Sequence, residues 1–152
     1  MSAIVLIDTS VLLNVLDVSG RNAQRQAVLV ELEQWIEMGA HLFIPMAAII
    51  ETGNHIAHVA DGRERRAAAL RFTEAVEAAL ANQAPWKPIN FPSAESVLGW
   101  LSRFPEAATR GVGLGDLSIQ QEFETCCRRY PMSRVCVWTL DDDLAGLDRP
   151  GR

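Results

Sequence analysis

The sequence lacks a stretch that could cross a membrane. Its longest apolar run, Leu42 to Ile50, contains a proline and is far shorter than the roughly 20 residues that a membrane helix needs. No basic residue precedes the apolar N-terminal run, and Asp8 interrupts it, so a signal peptide is not expected. Hydrophobic residues nevertheless make up 49% of the 152 residues, which argues against disorder. We therefore expect a soluble cytoplasmic protein, without membrane contact, that forms a single domain over residues 1–152.

Cysteine is scarce and is not spaced for disulfide or zinc chemistry. The three cysteines, Cys126, Cys127 and Cys136, are odd in number, two of them are adjacent, and no pair has a CxxC spacing. This pattern argues against a disulfide framework and against a thiolate zinc site. We expect all three to act as small apolar side chains in a helix and a strand.

Positive charge is also in short supply. The formal net charge is −5, and Lys87 is the only lysine among the 14 Lys and Arg residues. Diffuse binding of nucleic acid depends on many Lys and Arg contacts to phosphates, so the charge disfavours that mode. Four arginines lie near the start of one predicted helix, at 63, 65, 66 and 71. They fit a solvated helix face and also fit contact with nucleic acid.

The first strand and the turn after it are the most informative stretch. Residues 4–7 are four consecutive aliphatic residues, a pattern typical of a strand buried on both faces in a parallel sheet. Asp8 ends this strand, and a short helix is predicted over 11–16. Ligands of open α/β sheets bind at the carboxyl ends of the strands. We therefore expect Asp8 to lie at the functional edge of the sheet.

The rest of the chain alternates helical and strand patterns, which predicts a three-layer α/β/α sandwich with a central parallel sheet of four to five strands. Residues 105–115 are predicted to form a glycine-punctuated loop, and its GVGLG run lacks the GK[ST] ending of a P-loop. The other predicted elements are helices at about 22–38, 46–59, 63–82, 94–103 and 116–130, strands at 41–45 and 135–139, and a short strand or irregular segment at 85–92.

Four acidic residues occupy corresponding places in this pattern. Asp8 and Asp141 follow strands, Asp116 opens a helix, and Glu51 lies inside a helix that follows a strand, so all four belong to one sheet edge. Each aspartate also fits an ordinary helix N-cap. Glu51 is different, because it lies in an apolar segment where a buried charge needs a partner. Four carboxylates at one edge repel one another unless a cation is present, which favours a magnesium or manganese site.

Hydroxyl residues lie beside these acids. Thr9 and Ser10 follow Asp8, and Thr139 ends the strand before Asp141. Hydroxyl donors orient metal-binding carboxylates, and such a supporting role is one interpretation of these residues. Helix capping and ordinary strand positions explain them equally well.

Two histidines lie on the same helical face as Glu51. His55 and His58 follow it at the i+4 and i+7 positions. The HExxH order of zinc proteases is absent, and no third strong ligand accompanies the pair. A structural or RNA-facing role is therefore favoured over metal binding.

The acidic motifs resemble those of a PIN domain in order and approximate spacing, over nearly the whole chain. The motifs are IDTS at 7–10, an isolated helical glutamate at 51, GDLS at 115–118 and TLDDD at 139–143. Many PIN domains are VapC-like toxins, so the resemblance implies a divalent-metal-dependent endoribonuclease, an antitoxin partner and a homodimer. The residues implied are Asp8, Glu51, Asp116 and Asp141 as catalytic acids and ligands of Mg²⁺ or Mn²⁺, Asp143 as an additional member, and Ser10 or Thr9 in support.

Two features depart from the family pattern. The family usually ends with a short strand after the last acidic motif, and only residues 144–152 remain here to form it. The helix at 63–82 is also long for the smallest toxins. A PIN-fold nuclease of another branch, acting in RNA processing or defence, therefore stays open.

Two further classes of protein are disfavoured. A non-catalytic PIN-like binding module would be expected to lose part of the acidic set, which is intact here. Aspartyl-phosphate chemistry needs either a second acid where Ser10 stands or the late lysine of a receiver domain, and Lys87 is the only lysine.

Overall fold

The computed structural model describes residues 2–152, which form five strands, six helices and a short 3-10 turn at Asp142–Leu144. The strands are β1 (Ile4–Ile7), β2 (His41–Ile44), β3 (Trp86–Pro88), β4 (Val135–Trp138) and β5 (Asp148–Arg149). The helices are α1 (Thr9–Val15), α2 (Arg25–Glu37), α3 (Met46–Ala57), α4 (Gly62–Leu80), α5 (Ala94–Thr109) and α6 (Leu114–Arg129). Within these residues, none of the helices has the length and apolar character to cross a membrane.

The five strands form one sheet in the order β3-β2-β1-β4-β5. Strand β1 pairs in parallel with β2 and β4, β3 pairs in parallel with β2, and β5 runs antiparallel to β4. Every residue of β1 and β4 is buried, as expected for central strands covered on both faces. The predicted α/β class and the mostly parallel sheet are confirmed.

Helices cover both faces of this sheet, because successive side chains of a strand point in opposite directions. Val5 and Ile7 belong to a large core with residues of α1 to α4. Leu6, between them, belongs to a second cluster with Ile119 of α6 and Leu144. The two cores give the predicted three-layer sandwich.

A short closing strand follows the last acidic motif. Asp148 and Arg149 of β5 pair with Cys136 and Val135 of β4. The guanidinium of Arg134 donates two hydrogen bonds to the Asp148 carboxylate, at 2.8 and 3.0 Å. Residues 144–152 therefore supply the last strand of the sheet.

The predicted loop at residues 105–115 is largely wrong. Helix α5 continues through Pro105 to Thr109, and α6 begins at Leu114. Proline removes one intrahelical hydrogen bond, normally made here to the carbonyl of Leu101. Leu101 and Pro105 are both exposed, so water can satisfy that carbonyl. The break between helices is therefore limited to residues 110–113.

The three cysteines behave as apolar side chains, as predicted. Cys126 and Cys127 are half-buried, Cys136 is buried, and all three are free. Burial raises the pKa of the Cys126 and Cys136 thiols to about 11, which keeps both protonated at neutral pH.

Candidate active site

A pocket of about 160 Å³ opens at the carboxyl edge of the sheet, where β1 and β4 end. Segments distant in sequence meet there because the parallel strands bring their carboxyl ends to one side. Its walls include the four predicted acids, Asp8, Glu51, Asp116 and Asp141, together with Thr9, Ser10, Asn14, Arg21 and His55.

Asp8 directly follows β1 and is only 2% exposed. It occupies the N-cap position of α1, yet its side chain makes no capping hydrogen bond. One carboxylate oxygen, Oδ2, instead accepts hydrogen bonds from Thr139 Oγ1 at 2.8 Å and Ser10 Oγ at 3.1 Å. Asp8 is therefore the N-cap residue by position, as one interpretation predicted, but its carboxylate is oriented by hydroxyl donors instead of capping the helix.

The same two hydroxyls also hold the loop that carries Asp141. Ser10 Oγ accepts the backbone N–H of Leu140 at 2.9 Å, and Thr139 Oγ1 accepts that of Asp141 at 3.0 Å. The hydroxyl oxygens themselves lie 3.4 Å apart. This network ties the end of β1 to the end of β4 and sets the position of Asp141 relative to Asp8.

Glu51 enters the pocket from the second turn of α3. Its Oε2 accepts a hydrogen bond from Thr9 Oγ1 at 3.3 Å, so the hydroxyl of Thr9 supports Glu51 rather than Asp8. On its other side the carboxylate lies against Gly115, where a Cβ atom would overlap Oε1 and approach Cδ to 3.1 Å. A residue without a side chain at 115 is therefore what lets α6 approach Glu51.

Asp116 lies in the first turn of α6 and is half-buried. The N-cap of this helix is Gly113, so neither the prediction that Asp116 opens the helix nor its N-cap interpretation is correct. The pKa of Asp116 is raised to about 6, first by burial and then by the negative charges of Asp8, Glu51, Asp143 and Asp141, in that order of effect. The four predicted acids are thus close enough to act on one another.

Asp141 occupies the N-cap position of the 3-10 turn without a capping hydrogen bond from its side chain. Burial raises its pKa first, followed by repulsion from Asp8, Asp143 and Asp142, while Arg21 lowers it. Asp143 and Asp142 do not line the pocket, although Asp143 contributes to the field at both Asp116 and Asp141.

The two histidines differ in position. His55 lines the pocket one turn after Glu51. His58 is exposed at the end of α3, where its Nδ1 lies 2.7 Å from the carbonyl oxygen of Asn54, and it does not reach the pocket. Of the two histidines, only His55 therefore lies in the candidate site.

Two of the residues that line the pocket were not predicted from the sequence. Arg21 follows α1 in a loop and belongs to no motif, so no local signal marks it. Asn14 lies one turn after Ser10 on α1, is 4% exposed, and donates from Nδ2 to the Ser10 carbonyl at 2.8 Å. Its helical spacing from Ser10 was the available signal.

The donor atoms that line the pocket are of the type that a hard divalent cation binds. Carboxylate and hydroxyl oxygens are the ligands that Mg²⁺ and Mn²⁺ prefer, and no thiolate lines the pocket. Across residues 2–152, however, no group of three or more His, Cys, Asp or Glu side chains has the arrangement of a metal site. The carboxylates would have to move closer together to share an ion.

Comparison with models of known protein families finds no match for this chain, and comparison with curated proteins finds no similar one. The chemistry of the pocket is therefore inferred from its own residues and from the order of their motifs.

Proposed function

We propose that this chain is a divalent-metal-dependent endoribonuclease of the PIN type, which hydrolyses phosphodiester bonds in RNA. The observation that carries the proposal is the convergence of Asp8, Glu51, Asp116 and Asp141 on one pocket at the carboxyl edge of the sheet. The four acids come from four separate segments, which favours a shared function over four independent local roles.

The electrostatics of the pocket support this proposal. None of the three aspartates caps a helix through its side chain, so local helix stability does not account for them. Their mutual repulsion, which contributes to the raised pKa of Asp116, opposes folding of the metal-free protein. A divalent cation would offset that repulsion and would also reduce the repulsion of an RNA phosphate.

The residues of this chain would prepare the site for hydrolysis. Ser10 and Thr139 hold the Asp8 carboxylate, and Thr9 holds Glu51, so that the oxygen ligands of one or two Mg²⁺ or Mn²⁺ ions are oriented in advance. The bound metal would polarise a phosphodiester oxygen, activate a water and stabilise the leaving 3′ oxygen, giving a 5′-phosphate product. No Ser, Cys or His nucleophile is required.

Within the PIN nucleases we favour the toxin of a toxin–antitoxin pair, active in the cytoplasm as a homodimer. An apolar groove of about 430 Å³ adjoins Glu51 and includes Met46, Ile50, Val97, Trp100 and Leu114. Such a groove could receive an apolar antitoxin segment while a basic side chain enters the acidic pocket. A PIN nuclease of another branch is the second candidate, supported by the 19-residue length of α4.

Cleavage of total RNA by purified protein in manganese tests the nuclease proposal. We expect cleavage by the wild type and by Asp142→Asn, an exposed acid outside the pocket, and none by Asp8→Asn or after addition of EDTA. The new 5′ ends should carry phosphate. Equal cleavage by all samples would identify a contaminating nuclease and would remove the basis of the proposal.

A further inference from the structure

The segment that joins α1 to α2, residues 16–24, is an anchored loop. Arg71 of α4 donates from Nε to the carbonyl of Leu16 at 2.9 Å and from Nη2 to that of Asp17 at 3.0 Å. The side chain of Val18 is fully buried. Asp17 and Gly20 adopt left-handed backbone conformations, with φ of 57° and 80°, at the two turns of the segment.

The far end of the loop is attached to the helix that carries the candidate site. Asn14 accepts the backbone N–H of Gln24 at its Oδ1, 3.0 Å away, while its Nδ2 donates to the carbonyl of Ser10. Asn22 Nδ2 donates to Asp17 Oδ1 at 2.8 Å and closes the loop on itself. Attachments at both ends therefore hold the intervening residues at a defined place beside the pocket.

Arg21 is the residue of this loop that lines the acidic pocket. It is also the only Lys or Arg among the lining residues in the described part of the chain. Its side chain is exposed and lies close enough to Asp141 to act on that carboxylate, yet the two form no ion pair within 4.0 Å. The guanidinium thus lies near the acids and forms no ion pair with any of them among the described residues.

We propose that Arg21 forms a phosphate subsite, where its guanidinium binds the non-bridging oxygens of an RNA phosphodiester at the mouth of the acidic pocket. This inference rests on the proposed nuclease function and adds the group that recognises the substrate backbone. A guanidinium suits the role because its planar N–H donors match phosphate oxygens in pairs. In a chain of net charge −5, a cation carried on an anchored loop beside the pocket gives an approaching phosphate a binding point.

Binding of a fluorescein-labelled single-stranded RNA of mixed sequence, measured by fluorescence anisotropy, tests the subsite. Calcium replaces manganese to slow turnover, and the titration is repeated over a series of KCl concentrations. Arg21→Gln should weaken binding about tenfold and reduce the slope of log K against log salt by about 0.7, the value for one lost contact to a single strand. Arg66→Gln, which removes an exposed arginine from α4, is the matched control and should leave both quantities unchanged.

Two further variants distinguish the effect of the Arg21 charge from the effect of the position of its loop. Arg21→Lys keeps the charge but not the paired donors, so it should retain the wild-type salt slope with weaker binding. Arg71→Gln frees the loop without removing a charge from the pocket, and we expect a loss of a few-fold in affinity with the slope preserved. Thermal melts of each variant ensure that folded proteins are compared.

The outcomes distinguish the subsite from the nuclease function. If the wild type cleaves RNA while folded Arg21→Gln keeps its affinity and salt slope, the assignment of Arg21 is wrong and the nuclease proposal stands. If the wild type neither binds nor cleaves RNA with manganese, magnesium or calcium present, both are overturned. If Arg66→Gln lowers the slope as much as Arg21→Gln does, binding is diffuse and the subsite is again rejected.

Discussion

Gly115 lies directly against the carboxylate of Glu51, so no residue with a side chain fits at 115 unless Glu51 moves. Gly113, two residues earlier, has open space around the position of a Cβ atom. Gly113 and Gly115, two of the three glycines of the GVGLG run, therefore have different roles, although the sequence pattern does not separate them.

Gly115→Ala should lower RNA cleavage by at least about tenfold, because it displaces a carboxylate that must meet the metal. The melting temperature should change little, since the displaced atoms are the end of a flexible side chain. Gly113→Ala is the matched control and should cleave RNA at the wild-type rate. Loss of activity in both variants would assign the effect to the helix start rather than to Glu51.

Asp116→Asn should stabilise the metal-free protein by about 1 kcal/mol at pH 7, because it removes a repelled and partly screened charge. It should also remove most of the stabilisation by manganese, which at 100 times the dissociation constant is roughly 2.7 kcal/mol for the wild type. Thermal melts in EDTA and in manganese measure both effects. If Asp8→Asn, Glu51→Gln, Asp116→Asn and Asp141→Asn all keep the wild-type metal shift, the four acids do not share a site.

The raised pKa of Asp116 predicts a pH dependence of stability in the absence of metal. Its folded pKa of about 6 exceeds the ordinary value of 3.8, so the folded state binds this proton more tightly than the unfolded state does. The stability contributed by this group is present below pH 3.8 and is lost as the pH rises to about 6. Melts of wild type and Asp116→Asn across this range should differ in slope, and parallel curves would contradict the prediction.

Protonation of Asp116 should compete with metal binding. Metal ligation needs the ionised carboxylate, so cleavage at low manganese should fall up to tenfold per pH unit below about pH 6. Raising the manganese concentration should move the midpoint of the pH–rate curve to lower pH. A midpoint that is independent of manganese would show that Asp116 does not bind the ion.

Thr139→Val removes the donor that holds Asp8 and the acceptor that holds the backbone of Asp141. We expect a loss of about 1 to 2 kcal/mol in the free energy of unfolding and a 10- to 100-fold fall in cleavage. Thr139→Ser restores the hydroxyl and should recover most of the activity. If Ser and Val reduce cleavage equally, the lost methyl packing rather than the hydrogen bond is responsible.

Patterns within a few consecutive residues were sufficient to predict the central strands of the fold. The aliphatic run of β1 predicted a buried strand of a parallel sheet, the apolar run at 135–139 predicted a further strand, and the acids after them predicted the sheet edge that holds the pocket. Features that depend on contacts between distant elements were not predictable. Gly115 matters because α6 approaches α3, and Arg21 reaches the pocket because Arg71, about 50 residues later, holds its loop.

Local signals were also misleading where tertiary structure overrides them. Pro105 favoured a loop, yet α5 continues through it on an exposed surface where water can replace the missing hydrogen bond. The two residues of β5 are both charged and lack a strand pattern. They form a strand because Arg134 binds Asp148, and because Arg149 donates to the carbonyls of Cys127, Tyr130 and Ser133.

The short outer strands restrict how this chain can associate with other chains. An open sheet edge can template strand addition and aggregation. On one side β5 covers β4 with only two residues, and on the other β3 has three residues and ends at Pro88, which has no N–H to donate. Neither edge offers a long ladder of free donors and acceptors to a further strand. A further strand, from a second copy or from another protein, would therefore find only two or three residues to pair with at either edge of the sheet.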